Sequence, residues 1–142
     1  MKRLSGSDQL FLSMETPDWH QHIAGLSVLD ASKGAGLTFE KAVKRLEERL
    51  DLAPKFRWRL KHVPFGLDRP GWVEDERFDI RRHVHRIGVP RPGGREEVAD
   101  LLGQIMSTQL NRKIPLWEFW YVDGLDNDRL AFVLKFHHAL LD

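Results

Sequence analysis

The stretch Leu130-Ala131-Phe132-Val133-Leu134-Lys135-Phe136-His137-His138-Ala139-Leu140-Leu141-Asp142 carries both the fold and the chemistry of this chain. Its first five residues are apolar and rich in branched and aromatic side chains, the composition of a strand buried on both faces. Two imidazoles at the end of such a strand are costly to desolvate unless they are hydrogen-bonded or used. His138 and Asp142 are four residues apart, so one turn of helix after the strand brings a base and a carboxylate close. A metal held by His137, His138 and Asp142 is the rival reading. Adjacent strand residues point to opposite faces, which argues against it. The most chemically loaded residues come last, and the expectation is that these 142 residues are a piece of something longer.

Working outward, Leu116 to Val122 is a second, aromatic strand, and the polar turn Gly124 to Arg129 joins Trp117–Val122 to Leu130–Phe136 as a hairpin. Arg95 to Leu110 reads as a helix with Val98, Leu101, Leu102, Ile105, Met106 and Leu110 on one face. Thr38 to Leu50 is the clearest helix: Thr38 caps it, and Phe39, Ala42, Val43, Leu46 and Leu50 share a face. Residues 8–16 form a short helix with Asp8 as N-cap and Pro17 as its stop. His22 to Asp30 is a strand whose internal Gly25 marks a close approach of backbone or ligand. Ser32 to Gly36 is a loop. These elements predict a mixed α/β fold of the α+β type, without regular βαβ alternation.

Two stretches hold chemistry that can be read in two ways. Lys55, Arg57, Arg59 and Lys61 alternate with Phe56, Trp58 and Leu60, which predicts a strand over 55–61 with four cations on one face. That face is either an anion site or a solvated edge strand, and the absence of a Gly-rich loop opening a helix favours the edge strand. His83 and His85 alternate within Arg81 to Ile87, so both are expected on one face of an extended stretch. No third metal ligand is evident nearby, and a surface pair is the expected outcome.

Composition narrows the function classes. Hydrophobic residues make up 42% and charged residues 30%, which fits a folded domain and excludes wholesale disorder. The net charge is +1, from 22 basic against 21 acidic residues, so no nucleic-acid partner is expected. No cysteine is present, which excludes disulfides and thiolate metal sites and fits a reducing cytoplasm. No apolar run approaches the roughly 20 residues a membrane span needs. Five tryptophans suit surfaces where an apolar body meets a wet edge, so peripheral contact with a membrane or lipid droplet through exposed Trp and basic side chains is expected.

His137 to Asp142, HHALLD, looks like the start of the HHxxxDG motif of the CoA-dependent acyltransferase superfamily. Four further stretches narrow the likeness: Leu4 to Thr16; Trp72 with Phe78-Asp79-Ile80 and His83-Val84; Val89-Pro90-Arg91-Pro92-Gly93; and Pro115-Leu116-Trp117-Glu118. Together they resemble the bacterial wax ester synthase/acyl-CoA:diacylglycerol acyltransferases. The motif's closing glycine is absent because the sequence stops at Asp142. The resemblance implies a chloramphenicol-acetyltransferase-like mixed sheet with flanking helices. It implies that residues 1–142 are the N-terminal part of a first acyltransferase domain, with the remainder and a second domain downstream. It implies His138 as general base, His137 as its support and Asp142 in a structural role. Pro115, Leu116 and Trp117 would shape an acyl or alcohol pocket. The implied reaction moves a long-chain acyl group from acyl-CoA, a substrate and not a cofactor, to a fatty alcohol or diacylglycerol. The alternatives are a condensation-type acyltransferase with another acceptor and a non-catalytic interaction module of the same fold.

Overall fold

A computed structural model of the chain describes residues 1–32 and 36–140. The expected loop at Ser32–Gly36 and the candidate Asp142 therefore fall partly or wholly outside the described residues. Strand β7 (Arg129–His137) lies inside a four-stranded sheet of order β2-β7-β6-β5, with β2 at His22–Asp30, β5 at Val84–Gly88 and β6 at Trp117–Asp123. β2 and β6 flank β7 antiparallel, while β5 pairs with β6 in parallel. The expected hairpin is present, with Trp117 opposite Phe136 and Val122 opposite Ala131. A smaller antiparallel sheet of order β1-β4-β3 joins Lys2–Arg3, Gly71–Glu74 and Trp58–Lys61.

The period-2 alternation of β6 and β7 divides the core in two. Trp117, Phe119 and Tyr121 point to one side, where they meet Leu12, Leu50, Phe56, Leu60 and Trp72. Val122, Ala131 and Val133 point to the other, against Leu101 and Ile105 of helix α3 (Arg95–Ser107). Helix α2 (Phe39–Arg49) begins where Thr38 Oγ1 accepts the Lys41 N–H. Where the loop after β5 meets the β6–β7 turn, Gly93 is required. Its φ is +78°, and a Cβ there would lie 2.2 Å from the Gly124 carbonyl oxygen.

Several local expectations need correction. Helix α1 runs Gly6–Met14 and its N-cap is Ser5, not Asp8. Asp8 is the third helical residue and closes a capping box: its N–H donates to Ser5 Oγ, and its carboxylate accepts the Ser5 N–H. The carboxylate also accepts the Trp72 indole N–H at 3.2 Å, which explains a buried aspartate at the helix start. No atom lies within 4 Å of a Cβ built on Gly25, so nothing described here approaches that glycine closely. The strand expected over 55–61 is only Trp58–Lys61, because Pro54 opens a 3₁₀ turn through Arg57. Two of its four cations are in ion pairs, Arg57 with Asp51 at 3.4 Å and Arg59 with Asp75 at 3.6 Å. β3 is an edge strand, as the second of the two readings expects. His83 is not a surface residue. A 3₁₀ turn at Ile80–Arg82 breaks the alternation, and His83 is buried against Trp117 with ring centroids 4.4 Å apart. His85 packs separately against Trp120, its ring tilted by 33°.

Helix α3 stops at Ser107, three residues short of the sequence expectation, and its end meets a buried cation. Lys135 sits within β7 with no exposed surface. Its ammonium donates to the Ile105 carbonyl at 2.7 Å and to the Thr108 carbonyl. Glu118 Oε2 lies 3.7 Å away. Lys135 thus satisfies carbonyls that a helix C-terminus leaves open and complements its negative end. Lys135→Ala should leave the Thr108 carbonyl without this donor, leave the Ile105 carbonyl with only the long Thr108 N–H bond at 3.4 Å, and open a cavity, lowering unfolding free energy by about 3 kcal/mol. Denaturant titration of the folded protein would show it. A loss below about 0.5 kcal/mol, the size of an ordinary surface substitution, would contradict this role for Lys135.

Candidate active site

The register of the central sheet decides which imidazoles meet. His137 is the last residue of β7 and lies directly opposite His22, the first of β2. On β7, Lys135 and His137 share the face turned toward α3, so a polar cluster gathers at the end of an otherwise apolar sheet. His137 is buried. Its Nδ1 accepts the Ala139 N–H at 3.0 Å, which places the ring proton on Nε2. Nε2 faces Glu15 Oε1 at 3.6 Å. Burial holds the His137 imidazole below its ordinary value, so the ring is neutral.

Glu15 follows α1 as its C-cap, and its side chain is only 1% exposed. Burial opposes its charged form, but hydrogen bonds from Arg112 and Gln109 outweigh this and hold the carboxyl below the usual range. Arg112 grips Glu15 Oε2 through Nε at 3.0 Å and through Nη2, and Nη2 also donates to the Leu12 carbonyl at 3.1 Å. His22 Nε2 lies 3.3 Å from Glu15 Oε1 and accepts the Leu110 N–H at 3.4 Å. Burial, then the Lys135 ammonium, push the His22 imidazole down to about 4 against the pull of Glu15. The Glu15–His22 contact is therefore not an ion pair at neutral pH.

His138 has a different setting. Its backbone N–H donates to the Gln21 carbonyl at 2.9 Å, which pins the chain as it leaves the strand. A 3₁₀ turn, His138–Leu140, follows at once. The ring stacks on Phe11 of α1, centroids 4.6 Å apart and planes within 14°, and remains half-exposed. One imidazole of the pair is thus enclosed with both nitrogens facing protein, and the other is left open. Their rings face different neighbours, Glu15 and Phe11, so the pair does not converge on one ion.

Pro115, Leu116 and Trp117 lie in the core, with none of their side chains reaching solvent. The Leu116 carbonyl accepts the His137 N–H at 3.0 Å, which joins this motif to the histidine pair through the backbone. Trp117 Nε1 donates to the Phe56 carbonyl at 2.8 Å. Its carbonyl accepts from His83 Nδ1 at 2.9 Å.

Glu15, His22, Arg112 and Phe11 were not foreseen as site residues. Each sits in a stretch whose local signal is structural: the β2–β7 register brings His22 to His137, and the packing of α1 and of the Arg112 loop brings the others. Glu15, His20 and His22 also bring ligand atoms within 4.8 Å of one another. Glu15 is already neutralised by Arg112, and Lys135 adds positive potential beside His22, so the cluster is a poor home for a cation.

The His22 position makes the fold acid-sensitive. An unfolded chain takes up this proton below about 6.5, whereas the folded protein does not until about 4, so stability falls as pH drops through that window. The contribution is at most on the order of 3 kcal/mol. His83 and His137 are depressed by burial and act in the same direction. Thermal melts between pH 7 and 4 should show a falling midpoint, and His22→Gln should flatten the slope. Identical slopes in the two proteins would remove His22 from the account.

The chain is thus a mixed α/β scaffold whose central sheet ends in two histidines braced by an N-terminal helix. The model of the wax ester synthase/diacylglycerol acyltransferase catalytic domain matches residues 4–142, and the chain belongs to that family. It is 42% identical over its whole length to a Mycobacterium tuberculosis protein assigned as a diacylglycerol O-acyltransferase, of which it covers 29%. It superposes on the wax ester synthase/diacylglycerol acyltransferase from Marinobacter aquaeolei VT8 with a TM-score of 0.86 and 30% identity. That match covers all of this chain and 34% of the other. The starter condensation domain of rhizomide synthetase RzmA shares the fold, with a TM-score of 0.71 at 13% identity. The chain thus spans about three-tenths of these relatives.

Proposed function

We propose that this chain forms the N-terminal part of an acyltransferase domain that moves a long-chain acyl group from acyl-CoA to a fatty alcohol or diacylglycerol, with the rest of the site supplied by downstream polypeptide. The observation that carries the reading is the open His138 beside the enclosed His137, within a chain of this family. His138 takes the acceptor hydroxyl proton as that oxygen attacks the thioester carbonyl. The C–S bond of the tetrahedral intermediate then breaks, and the imidazolium returns its proton to the departing CoA sulfur. Asp142 keeps its proposed structural role. Pro115, Leu116 and Trp117 act from beneath the site, holding the strand ends that carry the histidines. The full-length protein should give one ester per CoA released, as wax ester from hexadecanol or triacylglycerol from diacylglycerol. Neither product would favour the interaction-module reading, whereas CoA release with no ester would mean hydrolysis or transfer to another acceptor.

Contact with lipid is part of the proposal, but not through tryptophan alone. Trp19 is exposed, whereas Trp72 and Trp117 are buried and Trp58 and Trp120 partly so. The more prominent apolar surface is Phe65 and Leu67, 96% and 82% exposed, on the loop between β3 and β4. Phe65 has a φ of +59°, a conformation uncommon for a bulky residue. Arg3 and Lys61 lie opposite Gly71 in the small sheet at the base of this loop, and Arg69 is close by. An apolar tip with cations at its base suits an anionic bilayer surface. No helix among the described residues is long and apolar enough to cross a membrane. Sedimentation of the full-length protein with phosphatidylglycerol vesicles should fall as salt rises and fall further in Phe65→Ser/Leu67→Ser. Unchanged sedimentation of that variant would move the contact elsewhere.

A further inference from the structure

Helix α1 is aimed at both histidines. Phe11 stacks on His138, and Glu15, four residues on, faces His137. Glu15 is an unusual partner, since a buried carboxylate is expensive unless it is held. It is held by Arg112, from the loop that precedes Pro115-Leu116-Trp117. The carboxylate therefore joins α1, that loop, and the facing ends of β2 and β7. His137 can answer Glu15 in only one tautomer. The Ala139 N–H occupies Nδ1, so the proton must sit on Nε2, where it faces the charge of Glu15 Oε1 at 3.6 Å, an electrostatic contact longer than a hydrogen bond. The Ala139 N–H bond in turn shapes the turn on which His138 stands.

We infer that Glu15 is a positioning residue for the histidine pair: its carboxylate, clamped by Arg112, fixes the His137 tautomer and through the Ala139 bond sets the placement of His138. The inference rests on the reading of His138 as the base, but its central observable does not depend on that reading.

Glu15→Gln tests it by geometry. In the variant, the amide oxygen stays with the Arg112 donors, so the amide nitrogen takes the place of Oε1, 3.3 Å from His22 Nε2 and 3.6 Å from His137 Nε2. Of its two N–H groups, one meets His22 Nε2, already an acceptor, and the other is aimed at His137 Nε2, which must then accept, so the ring proton moves to Nδ1, where it collides with the Ala139 N–H. In the full-length enzyme, ring ¹⁵N shifts should therefore report an Nε2-protonated His137 in the wild type and an Nδ1-protonated one in Glu15→Gln. The kcat should fall about 10–100-fold, the size of effect seen when a hydrogen-bond partner that orients a functional histidine is lost at metal sites, with the KM for acyl-CoA within about twofold. Glu15→Gln added to His137→Gln should cost little more than His137→Gln alone, because the effect travels through that ring.

An Nε2-protonated His137 in the variant, or losses that multiply in the double variant, would overturn the inference. If Glu15→Gln does not fold, the wild-type shifts still decide, since an Nδ1-protonated His137 contradicts it. Near-wild-type turnover of His138→Ala would remove the base yet leave the His137 tautomer result standing, so the two failures are distinguishable.

Discussion

In the full-length protein, His138→Ala is expected to lower kcat by about 10²–10⁴-fold while the KM for acyl-CoA changes little. A general base acts as the acceptor oxygen attacks and contributes nothing to ground-state binding of the thioester. The structure adds a second expectation. His138 is half-exposed and contributes one stacking contact to the core, on Phe11, so its loss should shift the melting temperature only slightly. His137→Ala should be costlier in stability, because that ring is enclosed, sits opposite His22 and accepts the Ala139 N–H. Steady-state kinetics and thermal melts on the two variants separate the roles. A His138→Ala enzyme with near-wild-type turnover would show that the base lies elsewhere.

Trp117→Ala is expected to have the largest effect on stability, about 3–5 kcal/mol. The indole has no exposed surface, donates to the Phe56 carbonyl and is packed between Phe56 and His83. Truncation leaves a cavity and an unpaired carbonyl in the larger core, and the surrounding strands cannot close over both. Trp117→Phe should recover much of the packing but not the hydrogen bond. Denaturant unfolding of the three proteins measures this directly. If Trp117 instead lines a pocket for substrate, Trp117→Ala would raise the KM for acyl-CoA or alcohol and leave stability nearly intact.

The central hairpin was legible because β6 and β7 carry long apolar runs whose period and turn residues agree. The Thr38 cap and the apolar face of α2 were legible for the same reason, a local signal with no competing interaction. Proline and short polar partners defeated the local reading elsewhere. Pro54 turned half of an alternating stretch into a 3₁₀ turn, and Ser5 displaced Asp8 as the cap. The buried polar network was the least legible part. Lys135 looks like a solvent-facing break in an apolar strand, yet it is fully enclosed because α3 ends against it. Glu15 and Arg112 are 97 residues apart and meet only after the sheet has formed. The histidine pair was visible as a motif. The division between its enclosed and open members depends on α1, which no local spacing reveals.

Direct transfer from CoA to the acceptor is the centre of the account, and a single-turnover experiment reaches it. Full-length enzyme in excess is mixed with long-chain acyl-CoA, and free thiol is followed before and after hexadecanol or diacylglycerol is added. With His138 acting as a base toward the acceptor, thiol should appear only after the alcohol, together with an equal amount of ester. Release of one CoA per enzyme before any alcohol is present, with the acyl group bound to protein, would show a covalent route and contradict the role assigned to His138.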